Sequence, residues 1–184
     1  MERPSNAVGA TGASPIARVF DELAARDEAA LIPYITAGDP DLEMTSLLLR
    51  TLATAGADVI ELGVPFSDPT ADGPVIQRAS ERALRHGATL ERVFEMLDGL
   101  RGANLPPIVL FGYYNPFLQY GLSRLVQRAS AVGVGGLLVV DLPIEESEPL
   151  RRELQGAPID LIQLVAPTTP EPRMGRIAEL ASGF

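Results

Sequence analysis

The sequence predicts an α/β fold: parallel strands joined by helices, here about five βα units behind an N-terminal helix. Three observations predict it. Short apolar runs rich in β-branched residues recur along the chain. They are apolar on both alternating faces, as strands buried on two sides are. Segments with helical spacing separate them, and most steps are the length of one strand plus one crossover helix. That alternation implies a parallel sheet with right-handed connections.

The elements follow in order. Residues 1–13 are small, polar and Gly/Ala-rich, without the basic start and apolar stretch of a secretion signal. They read as a disordered tail, and 14–184 as one domain. Ser14–Arg26 is amphipathic and helical. Leu31–Thr36 is the first strand. Asp39-Pro40 and Asp41 can cap and acidify the start of a helix over Asp41–Ala55. Ala57–Leu62 is the second strand. The step to the third is double and holds two helices, Pro74–His86 and Leu90–Arg101, broken at Gly87, with Thr89 as a cap. Ile108–Tyr113, Gly135–Val140 and Ile159–Val165 are the remaining strands. The helices after them are Leu122–Val132, Glu145–Leu154 and Pro170–Ala181. Gly56, Gly87, Gly102 and Gly133 sit just past helix ends, where a left-handed residue is wanted.

Two architectures fit this alternation, an open doubly wound sheet and a closed barrel. No G-x-G-x-x-G follows the first strand, which disfavours a dinucleotide-binding sheet. The regular units favour the TIM (β/α)8 barrel family. Such a barrel needs eight strands and typically about 250 residues. Five strands make it incomplete here. The chain is expected to stop where a sixth strand would begin, leaving two unpaired edges.

Composition narrows the function. Net charge is −9, so no basic face is available for nucleic acid or an anionic membrane. No apolar run approaches the roughly 20 residues of a membrane-spanning helix. With no cysteine there is neither a disulfide framework nor thiolate chemistry, as suits the cytoplasm. All 15 basic residues are arginine, and His86 is the only histidine. A Schiff base needs a lysine, and a zinc site usually needs several His or Cys ligands. No metal is expected. Chemistry must rest on carboxylates, hydroxyls and backbone groups.

In a barrel, the site forms where strands end and βα loops begin. Glu61 closes the second strand after Val59-Ile60. A buried carboxylate there would hold its proton more tightly and could act as a general acid, whereas the plainer role is a solvated or arginine-paired loop residue. Asp72, in the loop Gly63–Pro74 (GVPFSDPTADGP), can be a second site carboxylate or merely the cap of the next helix; alone, capping is favoured. Asp39, Asp68 and Asp141 read as turn or cap residues. Tyr34, Phe111 and Leu138 read as core or pocket-wall residues. Tyr113-Tyr114 could line a flat aromatic pocket. His86, beside Gly87 at a helix end, reads as structural.

Four ordered blocks carry a resemblance: Pro33–Pro40 (PYITAGDP), Val59–Gln77 (VIELGVPFSDPTADGPVIQ), Tyr113–Phe117 (YYNPF) and Asp141–Ser147 (DLPIEES). Together they closely resemble tryptophan synthase alpha subunits, from about Ser14 to the last residue. The resemblance implies a (β/α)8 barrel that cleaves indole-3-glycerol phosphate to indole and glyceraldehyde 3-phosphate by a retro-aldol reaction. It implies that Glu61 protonates the indole ring carbon and assists removal of the side-chain hydroxyl proton. Asp72 would bind the indole N–H. Tyr34, Phe111, Tyr113, Leu138 and Val165 would surround the indole. Pro65, Phe66, Asp68, Asn115 and Pro116 would meet the beta subunit of an alpha2beta2 complex. No cofactor is implied for this chain; pyridoxal phosphate would belong to that partner. The family grips the substrate phosphate through loops after strands six to eight, which these residues do not include, so the 184-residue chain alone is expected to be inactive or nearly so. Two alternatives are a non-catalytic alpha-like chain that activates a beta partner, and another phosphate-binding barrel of amino-acid biosynthesis. The second group lacks the GVPFSDPxADGP loop.

Overall fold

The structure, a computed structural model, describes residues 14–184; the tail read over 1–13 lies outside the described residues. Five strands form one all-parallel sheet: β1 (Tyr34–Thr36), β2 (Ile60–Gly63), β3 (Ile108–Gly112), β4 (Val134–Val139) and β5 (Asp160–Ile162). Their order is β1-β2-β3-β4-β5, each strand beside its sequence neighbour. A doubly wound sheet would reverse direction part-way. The unreversed order decides for the barrel, as expected.

Alternation along the strands divides the core into two clusters. Ile60, Leu62, Leu110, Leu137 and Leu161 join the larger one with helix residues Leu49, Phe94, Leu125 and Leu150. Val59, Val109, Leu138 and Ile162 turn the other way and form a smaller cluster with Ile16. The second face is the interior of the incomplete barrel. Register then stacks its residues in layers. Tyr34, Glu61, Val109, Gly136 and Asp160 stand side by side, and above them Thr36, Gly63, Phe111, Leu138 and Ile162.

Helix α1 (Pro15–Ala25) closes the bottom of this interior. Its cap, Ser14, accepts from the Ala17 amide at 3.0 Å and donates to the buried carboxylate of Asp160 at 2.5 Å. A Cβ on Gly136 would lie 2.9 Å from Ile16, so the bare strand backbone is what admits that side chain. The other helices are α2 (Leu42–Thr54), α3 (Pro74–Arg85), α4 (Leu90–Asp98), α5 (Tyr114–Tyr120), α6 (Leu122–Ala131), α7 (Glu148–Glu153) and α8 (Glu171–Leu180). Asp41 caps α2 through the Met44 amide at 2.7 Å, and Thr89 caps α4. Gly56, Gly87, Gly102 and Gly133 all take positive φ. No helix among the described residues is long and apolar enough to cross a membrane.

Several expected elements are corrected: β1 and β2 begin at Tyr34 and Ile60 rather than at Leu31 and Ala57. The helix read over Glu145–Leu154 is a 3-10 turn, Ile144–Glu146, followed by α7. Pro149 has no N–H to carry a helix across that junction. Helix α5 was not foreseen. Its first amide, Tyr114 N–H, is taken at 2.7 Å by Asp141, a residue from the end of another strand. The fifth strand stops at Ile162 rather than Val165. Leu138 pairs with Ile162, so Val165 would need Asp141 opposite, where β4 has already ended.

Candidate functional site

Glu61, the second residue of β2, stands on its inward face between Tyr34 of β1 and Val109 of β3. It is half-buried, and among the described residues its carboxylate has no hydrogen-bond or ion-pair partner. Loss of water around it, with no compensating donor, raises its pKa. Of the plainer readings, pairing with arginine is not what the fold builds, and the solvated one holds only for the exposed half of the side chain.

Asp72 is brought to the same region by the loop that follows β2. The Val64 amide donates to the Phe111 carbonyl at 2.8 Å, tying the start of the loop to β3. Near its end, the Ala71 amide donates to the Tyr113 hydroxyl at 2.9 Å. The Asp72 pKa is raised by burial, and the Tyr113 hydroxyl partly offsets this by stabilising the carboxylate. Capping of α3, the role favoured for Asp72 alone, is not observed. Gly73 is the residue before α3, and no side chain caps that end.

Tyr34 lies within the electrostatic reach of both carboxylates. Its phenol is held un-ionised mainly by burial; the charges of Asp72 and Glu61 add to this, and a hydrogen bond with Thr36 opposes it. The hydroxyl lies 3.3 Å from Thr36 Oγ1. The ring meets Phe111 edge-on, centroids 5.3 Å apart. Gly63 makes room for it: a Cβ there would fall 2.1 Å from the Tyr34 hydroxyl. The signal for Gly63 in the sequence is slight: a glycine closing a strand marks a close approach.

Of the other wall residues, Leu138 is buried on the inward face of β4, beside Phe111 in register. Tyr113 is buried and packs against Phe66 with centroids 5.3 Å apart. Val165 is not gathered with them; it lies past the end of β5 and is 53% exposed. Among the surface candidates, Asp68 and Asn115 are exposed, and Phe66 and Pro116 are half-buried. Pro65 is buried within this chain, a correction to its reading as a residue offered to a partner. With α3, the loop also bounds a cleft of about 720 Å³ lined by Phe66, Asp68, Thr70, Gln77 and Arg85.

The remaining polar residues have structural duties. Both Asp39 oxygens accept from Arg82 at 2.8 Å. The His86 ring nitrogen Nδ1 sits 2.6 Å from the Pro40 carbonyl, at the end of α3. Asp68 forms the turn before Pro69, its carbonyl accepting from Thr70 at 2.9 Å.

A parallel sheet wound in sequence order, with the pKa values of Glu61 and Asp72 both raised by burial and both charges felt at Tyr34 on its inward face, defines an incomplete α/β barrel with a candidate site on that face. A profile of the tryptophan synthase alpha chain matches residues 20–184. The chain belongs to the tryptophan synthase alpha chain family. It is 52% identical over 169 residues to the tryptophan synthase alpha chain of Desulfosudis oleivorans, covering 92% of this chain and 64% of that one. A Synechococcus alpha chain is 50% identical over 171 residues, with 93% and 64% covered. Among solved structures, the alpha subunit of Legionella pneumophila matches with a TM-score of 0.89 at 43% identity, covering 94% of this chain and 66% of its own. Mycobacterium tuberculosis tryptophan synthase matches with a TM-score of 0.89 at 35% identity, covering 94% and 66%. The chain thus spans a little under two thirds of the length of the curated relatives it matches.

Proposed function

We propose that these residues form the carboxylate half of a lyase site that cleaves indole-3-glycerol phosphate into indole and glyceraldehyde 3-phosphate. The observation that carries the reading is the half-buried, unpartnered Glu61 carboxyl on the barrel's inner face, close enough to Tyr34 for its charge to be felt there together with that of Asp72. Burial keeps Glu61 protonated to a higher pH than an ordinary glutamate, so it can give its proton to the indole ring carbon. The Asp72 carboxylate accepts a hydrogen bond from the ring N–H, which gains positive charge as that carbon is protonated. The bond from the ring to the side chain then breaks, its electrons returning to the ring. The neighbouring hydroxyl becomes the aldehyde and passes its proton to the carboxylate Glu61 has become. The proton count closes with no Schiff base, in keeping with a chain without lysine.

Tyr34, Phe111, Tyr113 and Leu138 are the wall against which the indole would lie; Val165 would join them only with a further strand beside β5. The chemistry described uses no cofactor from this chain. Asp68, Asn115 and the exposed parts of Phe66 and Pro116 form the surface we assign to a tryptophan synthase beta subunit, the pyridoxal phosphate-bearing partner in an alpha2beta2 complex. The cytoplasm is the compartment we assign, in keeping with a chain without cysteine.

The phosphate-holding loops that the resemblance implies are not among these residues, and remote binding of that kind supplies much of the orientation. The 184-residue chain by itself should therefore turn over substrate at or near background. Fusing it to the C-terminal third of the Legionella pneumophila subunit should restore cleavage, read as indole release. In that fusion Glu61→Gln should lower kcat by about 100-fold or more, while activation of an added beta subunit persists. A folded fusion whose cleavage is indifferent to Glu61→Gln would refute the assignment.

A further inference from the structure

Tyr113 makes three contacts with one loop. Its buried ring packs on Phe66, near the loop's start, with centroids 5.3 Å apart. Its hydroxyl accepts the Ala71 amide at 2.9 Å, near the loop's end, and interacts with the Asp72 carboxylate. Ala71 is exposed, and among the described residues its N–H has no other partner. The loop's own turn ends here, with the Asp72 amide donating to the Pro69 carbonyl at 3.1 Å. That turn fixes the loop's shape but does not fix it to the sheet. Tyr113 does, because it follows β3 directly and β3 lies beside β2, from which the loop departs.

We propose that Tyr113 is a positioning residue for Asp72: its hydroxyl clamps the loop by the Ala71 amide and orients the adjacent carboxylate at the strand ends, beyond any part it plays as a pocket wall. The phenol can accept from the amide and donate to the carboxylate at once, a pairing that phenylalanine would lose while keeping the ring contact with Phe66. This role rests on the reading of Asp72 as the residue that meets the indole N–H. Its test uses no substrate, so it stands or falls separately from the cleavage assay.

The experiment is NMR on the ligand-free 184-residue chain and its Tyr113→Phe variant. The Ala71 amide should exchange with solvent faster by about fivefold or more in the variant. The Asp72 carboxyl should titrate at higher pH, because a donor that stabilises its charged form has gone. Asp72→Asn gives the reciprocal reading, since removing that charge should let the Tyr113 phenol ionise at lower pH, seen by carbon-labelled tyrosine. Unchanged Ala71 exchange in Tyr113→Phe overturns the clamp, as does a Tyr113 titration indifferent to Asp72→Asn.

Discussion

Glu61 sets its proposed role against stability. Its carboxyl is half-buried without a donor, and burial raises its pKa in the fold. Folding therefore favours the protonated form. The stability linked to this group is fully present below the unfolded glutamate value, about 4.3, and is lost as pH rises through the raised folded value. Glu61→Gln should accordingly melt about 2 to 4 °C higher than wild type at pH 8. Near pH 4 the two should melt together. Equal melting temperatures at both pH values would mean that the carboxyl is better solvated than its position implies. The sequence pointed to this residue because a carboxylate among Val59, Ile60 and Leu62 has little water to turn to. Asp72 was harder. Its neighbours Gly73 and Pro74 make any aspartate there look like a helix cap, and only the Tyr113 hydroxyl, 41 positions along by residue number, draws it elsewhere.

At the scale of elements, legibility follows the distance over which each element is specified. Helices α2 and α4 carry their own caps, Asp41 and Thr89, and both starts were readable within a residue. Helix α5 borrows its cap from Asp141 at the end of β4, so no local pattern announces it. Strand ends are set by how far a neighbour continues alongside, which is why β5 falls short of Val165. The borrowed cap makes a prediction. Asp141→Ala should cost about 1 kcal/mol and loosen α5, read as faster amide exchange over Tyr114–Phe117 with little change in α6. If α6 loosens equally, the two helices behave as one unit and the cap is not specific to α5.

At the scale of the molecule, two strands have a single partner among the described residues, β1 and β5. Large apolar side chains stand open nearby: Leu31 at 54%, Leu164 at 55% and Phe184 at 44% exposure. Unpaired parallel edges beside exposed apolar groups invite association. The 184-residue chain prepared alone should self-associate with rising concentration, which sedimentation would detect, and Leu164→Lys should reduce it. A strictly monomeric chain at about 100 μM would show that net charge overrides the edges.

The latch between Ser14 and Asp160 has a consequence for how the molecule assembles. Each strand after the first finds a companion in the strand made before it, so a nascent chain leaving the ribosome can lay the sheet down step by step. The first helix cannot share in that order. Its anchor lies 146 residues away, on the fifth strand. That helix is thus fastened late, and the floor of the barrel stays open until the fifth wall is standing.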